Sequence, residues 1–495
     1  MLNETLQQLS KEWLDEATIR DMQTKMDEGQ LTSEELTLLY LDAIRRKNKE
    51  LKAVLEINPQ ALQTACALDE ERKEKGARSL LHGIPILLKD NMNTAGGMHT
   101  SCGSLAMQDF YAAEDAFLVC KLRQAGAVIL GKTNMTEWAN FMSDRMTNGW
   151  SSRGGQVVNP YGPFDVGGSS SGSAAAIAEN MAAVAIGTET SGSIINPSAQ
   201  NALVGLKPTV GMISRSGIIP LSFTQDTAGP MARTVEDAAI TFGIMIGYDE
   251  ADPITRTAVR FQQVDWLSAL QKDALKDVRI GIPRKIFERE ISSEQTDLFN
   301  QALEQLSQAG AVIKDDIDLG AMEDDLGYDV LLYEFKAALN QYLSRTPETN
   351  KIRSLSDIIE YNTNHPDETL RFGQVMLEKV DRTSGTLTEP AYLEALLRNR
   401  HLAKETALDK ALAENEIDVL VLPQDHGCSF SAAAGYPAIT VPSSYTEKGE
   451  PFCITFCGPA FSEYDLIGYA YAYEQKVQGR MRPSEIKALS SKESS

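Results

Sequence analysis

No stretch of the sequence approaches the roughly 18 consecutive apolar residues needed to cross a bilayer; the richest, residues 174–187, is broken by Glu179 and Asn180. Basic residues are outnumbered, 47 Lys and Arg against 69 Asp and Glu, for a net charge of −22. A surface of that sign repels phosphate backbones and anionic lipid, so neither a nucleic-acid nor a membrane partner is expected. Cysteine is sparse: the six are scattered, no C-x-x-C pair occurs, and Cys453 with Cys457 alone makes no zinc site. Reduced, buried thiols fit a cytoplasmic protein. Histidine is scarcer still, five in the chain, with no H-E-x-x-H pattern, so no metal or other cofactor is expected. The opening MLNETLQQLSKEWLDEA lacks a basic segment followed by an apolar one, and no signal peptide is expected there.

What is present reads as a soluble α/β chain. Its 495 residues allow one large core or two ordinary domains. Residues 1–76 read as a helical segment packed on the core, with Thr32-Ser33-Glu34-Glu35 a capping box ahead of LTLLYLDAI. From residue 77 to 495 the pattern changes to buried strands alternating with helices. Strands are expected at Ile84–Leu88, Ala127–Leu130, Val278–Ile282 and Val419–Leu422. The step Gln124-Ala-Gly-Ala-Val-Ile129 recurs as Gln308-Ala-Gly-Ala-Val-Ile313, each a helix end closed by glycine and followed by a strand. Alternation of this kind predicts a large mixed sheet covered by helices on both faces. Residues 322–416, charged and without strong strand runs, predict a mostly helical region over the edge or mouth of that sheet.

Two familiar patterns fail on inspection. Gly126-Ala-Val-Ile-Leu-Gly131-Lys132-Thr133 matches a phosphate-binding loop, but its middle four residues favour a buried strand over a turn of N–H donors. Gly168-Ser169-Ser170-Ser171-Gly172 matches a hydrolase nucleophile elbow, yet the turn-rich NPYGPFD precedes it where a strand is required. An elbow would use Ser170 with a histidine. His365 before Pro366 and His401 on a charged helix read as solvated, which leaves His426 as the partner for a Ser-His-Asp esterase.

The stretch VGGSSSGSAAA (166–176) is followed, one alanine-rich helix later, by a second glycine–serine loop, Gly187-Thr-Glu-Thr-Ser-Gly-Ser193. Backbone N–H groups of such loops can hold an oxyanion. A serine nucleophile also needs a base. Lys89 ends the apolar strand Ile84–Leu88, and burial would lower its pKa toward the neutral, proton-accepting amine. Taken alone, one lysine at a strand end is a surface charge. Strand alternation puts Asp90 on the opposite face, where it would not hold Lys89 protonated.

The blocks LHGIPILLKDN (81–91), AGAVILGKTNM (125–135), VGGSSSGSAAAIA (166–178), AIGTETSGSI (185–194) and GLKPTVGMISRSGIIP (205–220), continued by TQDTAGPMARTVEDAA (224–239) and AGYPAITVP (434–442), resemble the successive blocks of the amidase signature family. The resemblance implies that family's sheet and its Ser–cis-Ser–Lys triad. Lys89 would be the base, Ser169 the bridging serine after a cis peptide bond from Gly168, and Ser193 the nucleophile. It also implies an oxyanion hole of the backbone N–H groups of Thr190, Ser191, Gly192 and Ser193. Many members read T-D-T-G-G-S where this chain has Thr188-Glu-Thr-Ser-Gly-Ser193, so Ser191 stands in place of a glycine. Ser170, Ser171 and Ser173 would be turn and N-cap residues of a helix starting near Ser173. NGWSSRGGQ (148–156) and Tyr333-Glu-Phe-Lys336 resemble the peptide-amidase branch, which removes the C-terminal amide from peptides. The expectation is therefore an amidase, monomer or homodimer, acting on a small-molecule or peptide amide through an acyl-enzyme on Ser193. The runner-up in the family is the glutaminase subunit of a tRNA-dependent amidotransferase. Acyl-pocket residues are expected from 140–156, 322–416 and 428–436.

Overall fold

The computed structural model describes residues 2–493. Its strands are β1 (Val54–Ile57), β2 (Pro85–Lys89), β3 (Val128–Thr133), β4 (Trp150–Ser151), β5 (Gly155–Gln156), β6 (Val184–Glu189), β7 (Val204–Lys207), β8 (Thr227–Ala232), β9 (Arg279–Gly281), β10 (Val312–Lys314), β11 (Val419–Pro423), β12 (Ala438–Tyr445) and β13 (Pro451–Cys457). Eleven form one mixed sheet in the order β1-β3-β2-β6-β8-β7-β12-β13-β11-β9-β10, while β4 and β5 make a separate hairpin. Every residue of β2, β3 and β6 is buried. Helices cover both faces there, which is why these strands read as unbroken apolar runs and not as alternating ones.

The sheet's direction places the site. Strands β2, β3 and β6 are parallel, so Lys89, Thr133 and Glu189 leave the sheet at one end. Strand β8 runs antiparallel to β6 and starts at that same end, with Thr227 opposite Glu189. Ligand sites in such sheets lie beyond the carboxyl ends of the parallel strands.

The expected elements are present, with differences. Helices α1 (Glu4–Glu12), α2 (Ile19–Asp27), α3 (Ser33–Leu51) and α4 (Ala61–Lys75) occupy the N-terminal segment, and Thr32 and Glu35 cap α3 reciprocally. The segment read as helices with short breaks also contains β1. Four residues are too few to show a period, and β1 is a strand because it pairs antiparallel with the edge of β3. Helix α5 (Phe117–Gln124) ends ahead of Gly126, at φ 90°, and passes into β3. The phosphate-loop match thus lies in a strand: Lys132 is fully buried in β3 and donates to Met92 O and to Thr100 Oγ1 at 3.2 Å.

Helix α6 begins at Ser171, earlier than the expected start near Ser173, and runs to Ala178. All eight of its residues are buried, as a helix apolar all round must be. A side chain at Gly172 would overlap the carbonyl oxygens of Ala53 and Asn134, so α6 docks this closely only with glycine there. After α7 (Ile195–Gln200), α8 (Val235–Met245) and α9 (Ser293–Gln308), no strand falls between Lys314 and Val419. That stretch holds α10 (Asp329–Ser344) and helices over Leu355–Asn364, Val375–Asp381 and Pro390–Arg400. The last continues through a π-helical stretch, His401–Leu408, into Asp409–Glu414. Leu331, Phe335 and Leu339 of α10 pack with Trp138, Phe141, Ile219 and Leu221 in a second apolar cluster. Among the described residues no helix is long and apolar enough to cross a membrane.

Candidate active site

Lys89, the last residue of β2, has no solvent exposure. Its ammonium nitrogen lies 2.8 Å from Ser169 Oγ and 3.1 Å from the carbonyl oxygen of Thr188. No carboxylate pairs with it among the described residues. Burial lowers its pKa from 10.5 to about 7, against the opposing pull of Cys102, Glu189 and Asp226. Asp90 faces away, as strand alternation requires. Its carboxylate accepts from Ser101 Oγ, from Gly103 N at 3.1 Å and from Arg153 at 3.4 Å. An adjacent acid therefore organises the next loop without holding Lys89 protonated.

Ser169 is also fully buried, and the Gly168–Ser169 peptide bond is cis. Ser170 occupies the N-cap position of α6 but does not cap it. Its hydroxyl donates to Thr188 O (3.1 Å) and accepts from Thr188 N (3.3 Å). Ser171 Oγ donates to Gly167 O, and Ser173 Oγ shares a 2.7 Å hydrogen bond with Thr133. The capping role expected of these serines is thus replaced, for Ser170 and Ser173 by ties to the ends of β6 and β3 and for Ser171 by a bond back to the preceding loop, because the helix start is pressed against the sheet and not toward water.

The second loop brings Ser193 beside the first. Ser193 O accepts from Ser170 N at 3.3 Å, and Ser193 retains 8% exposure. Among the described residues the hydroxyls of Ser169 and Ser193 share no hydrogen bond. The structure brings Lys89 and Ser169 into contact and sets Ser193 on the adjoining backbone, with its hydroxyl not yet engaged. Glu189 ties the turn down, one carboxylate oxygen accepting from Ile194 N (2.7 Å) and Ile195 N (3.0 Å). None of the N–H groups of Thr190, Ser191, Gly192 and Ser193 donates to another described residue. Left-handed backbone falls on Gly192, at φ 78°, and not on Ser191. Serine at 191 is therefore unstrained where a glycine is frequent.

Residues that motif reasoning did not single out complete the surroundings. Asp226 accepts from Thr190 Oγ1 (2.6 Å), Leu221 N (2.7 Å) and Ser222 N (2.9 Å), and burial raises its pKa. Gln225 donates to Thr190 O at 3.1 Å. Asn91 donates to Thr188 Oγ1 at 2.9 Å, while its own Oδ1, buried, has no partner among the described residues. Asn91, Thr188, Thr190 and Asp226 line a cavity of about 20 Å³, which holds about one water molecule. All of these fall inside the family blocks quoted above, Asn91 in 81–91, Thr188 and Thr190 in 185–194, Gln225 and Asp226 in 224–239, but nothing in the blocks marked the part that Asn91, Gln225 and Asp226 play.

The histidines are engaged elsewhere. His426 pairs with Glu290 at 3.2 Å, His401 with Glu405 at 2.9 Å, and His365 bonds Tyr361 O at 2.9 Å. Ser170 has a carbonyl where an esterase would have an imidazole. Among the described residues no group of three His, Cys, Asp or Glu side chains could hold a metal ion.

The Amidase family model matches residues 35–426. The chain belongs to the amidase signature family. This amidase is 45% identical to the peptide amidase of Stenotrophomonas maltophilia, whose crystal structure superposes with a TM-score of 0.87 over 94% of this chain and 98% of that one. It is 39% identical to a probable amidase of Arabidopsis thaliana, over 96% of this chain and 92% of the plant protein. It is 32% identical to a glutamyl-tRNA(Gln) amidotransferase subunit of Pseudomonas aeruginosa (strain PAO1), over 93% and 97% of the two chains. The chain is an amidohydrolase acting on amide C–N bonds.

Proposed function

We propose that this amidase hydrolyses carboxylic amides, in particular the C-terminal carboxamide of peptides, to acid and ammonia through an acyl-enzyme on Ser193. The observation that carries the reading is the 2.8 Å contact of a buried, carboxylate-free Lys89 with Ser169. A lysine with its pKa near 7 is about half neutral at neutral pH and can accept a proton. Neutral Lys89 takes the Ser169 proton as Ser169 takes that of Ser193, whose hydroxyl must first turn to Ser169. Ser193 Oγ then bonds to the amide carbon. The oxyanion rests on the N–H groups of residues 190–193, each well-placed donor contributing roughly 3–4 kcal/mol. As the C–N bond breaks, the relay returns the proton to nitrogen and ammonia leaves. Water attacks the ester by the same route and frees Ser193.

Identity of 45% to a peptide amidase supports the C-terminal carboxamide over the glutamine of the amidotransferase, the 32% relative. Ammonia release from a panel of free amides, peptide amides and glutamine tests the reading. Peptide amides should be turned over at the highest kcat/KM. Exclusive use of glutamine would replace this reading with the amidotransferase one.

A further inference from the structure

A second cavity, of about 320 Å³, lies on the far segment of the 221–227 loop that walls the small one. Its size falls at the lower end of the range for ligand sites, about 300–1,000 Å³. Thr224 and Gln225 line it, and Gln225 also donates to Thr190 O at the start of the Ser193 loop. One wall residue, Gln225, thus joins the cavity to the start of the turn that carries the proposed nucleophile. It draws on residues 396–404 and 433–436, which belong to two of the segments expected to supply the acyl pocket.

The charge of its lining is unusual for this chain. Acids outnumber bases 69 to 47, yet among the described residues no carboxylate lines the cavity, and Arg400 and Lys404 both do. They stand four residues apart on one helical face, where like charges repel. Neighbours on the same helix have acid partners: Arg398 with Asp329, His401 with Glu405. Among the described residues neither Arg400 nor Lys404 has an ion pair. Lys404 rests over the ring of Tyr436, 5.3 Å from its centre, and the Tyr436 hydroxyl occupies Asp409 at 2.8 Å. Burial, with Arg400 beside it, lowers the Lys404 pKa against the opposing pull of Asp409. The π-helical stretch begins directly after Arg400 and carries Lys404, and such turns gather at functional sites. The rest of the wall is largely apolar, including Phe223, Ile254, Val330 and Leu396.

We propose that this cavity is an acyl-side subsite for a carboxylate: Arg400 and Lys404 bind an acidic group of the amide substrate, and the apolar wall packs the chain linking it to the scissile amide. The inference rests on the amidase reading above and narrows its substrate class to anionic amides. An anion between the two cations relieves their repulsion, and the partial burial of Lys404 strengthens the attraction relative to open solvent.

The test measures ammonia release by the full chain from N-acetyl tripeptide amides that carry Glu, Gln or Lys at each position in turn. The expected result is a preference for Glu over Lys of at least about tenfold in kcat/KM at one position. The double variant Arg400→Glu with Lys404→Glu should reverse that ratio, and because a ratio is read, partial loss of folded protein does not imitate the effect. Ratios within about threefold at every position, or a ratio unchanged by the reversal, overturn the subsite. Altered turnover of the Gln peptides on adding free succinate, with no charge preference among the peptides, assigns the cavity to a free carboxylate and also overturns it. Absence of ammonia from every amide overturns the amidase reading and the subsite together, whereas turnover with a flat charge profile overturns the subsite alone.

Discussion

Replacing Lys89 with methionine should abolish turnover and at the same time make the protein more stable. A lysine with pKa 10.5 in the unfolded chain and about 7 in the folded one opposes folding, because the unfolded state holds a proton that the native state binds less well. At pH 7 the penalty is about 4 kcal/mol, from roughly 1.4 kcal/mol per unit over a 3.5-unit depression less the half-protonated native fraction. Methionine fills the space without the charge. The loss is the hydrogen bond to Ser169, about 1–2 kcal/mol, since Thr188 O keeps its bond from Ser170. A net gain of about 2–3 kcal/mol follows, which for a chain of this length is an increase in Tm of about 2–3 °C. The sign with pH is definite. The Lys89 contribution to wild-type stability rises with pH between about 7 and 10.5, where this lysine binds more protons in the unfolded chain than in the native one. The advantage of the variant is therefore largest below pH 7, falls by about 1.4 kcal/mol per unit above it, and is used up by about pH 9, above which the variant is the less stable of the two. Thermal unfolding of both proteins at pH 6.5, 8 and 9.5 measures it. A variant less stable than wild type at pH 6.5, or a gap that does not change with pH, would refute the claim that Lys89 is held neutral by burial.

The remaining predictions follow from the same geometry. Ser193→Ala should lower kcat by at least about 10⁴-fold with the thermal midpoint little changed; ammonia release at near wild-type rates would redirect attention to Ser170. The kcat/KM–pH profile should rise tenfold per unit below about pH 7, where Lys89 is protonated and inactive as a base, and level off above it; a profile that is flat from pH 5 to 7 contradicts the base assignment. Gly172→Ala should destabilise the fold by about 1–3 kcal/mol, because the added methyl meets the carbonyls of Ala53 and Asn134, and a denaturation midpoint at the wild-type value would show that α6 has room to shift.

Local patterns carried much of the fold and of the site. Ile86, Leu87 and Leu88 in β2, and Val128, Ile129 and Leu130 in β3, are buried on both faces, and that condition is visible as an unbroken apolar run. The strand β8, Thr-Ala-Gly-Pro-Met-Ala, carries no such mark. Its Gly229 and Pro230 read as a turn, and it is a strand only because β6 and β7 supply partners on either side. Likewise β1 exists by pairing with the edge of β3. The serine loops and Lys89 stood out because they combine a special backbone with an apolar context, whereas Asn91 and Gln225 are ordinary polar residues in sequence. Their partners, Thr188 Oγ1 and Thr190 O, are 97 and 35 residues away.

The sequence alone determined that this chain is an α/β amidase signature protein with a lysine at the tip of an apolar strand and two glycine–serine loops one short helix apart, since those properties are local and depend on residue type and order. Tertiary structure decided the rest. It set which carboxylates are kept from Lys89, which hydroxyls tie α6 to the sheet, that the strain-prone position of the Ser193 turn is Gly192, and that two cations without an ion pair among the described residues share a cavity joined to that turn through Gln225. Burial and pairing between distant segments control those outcomes, and neither leaves a periodic mark on the chain.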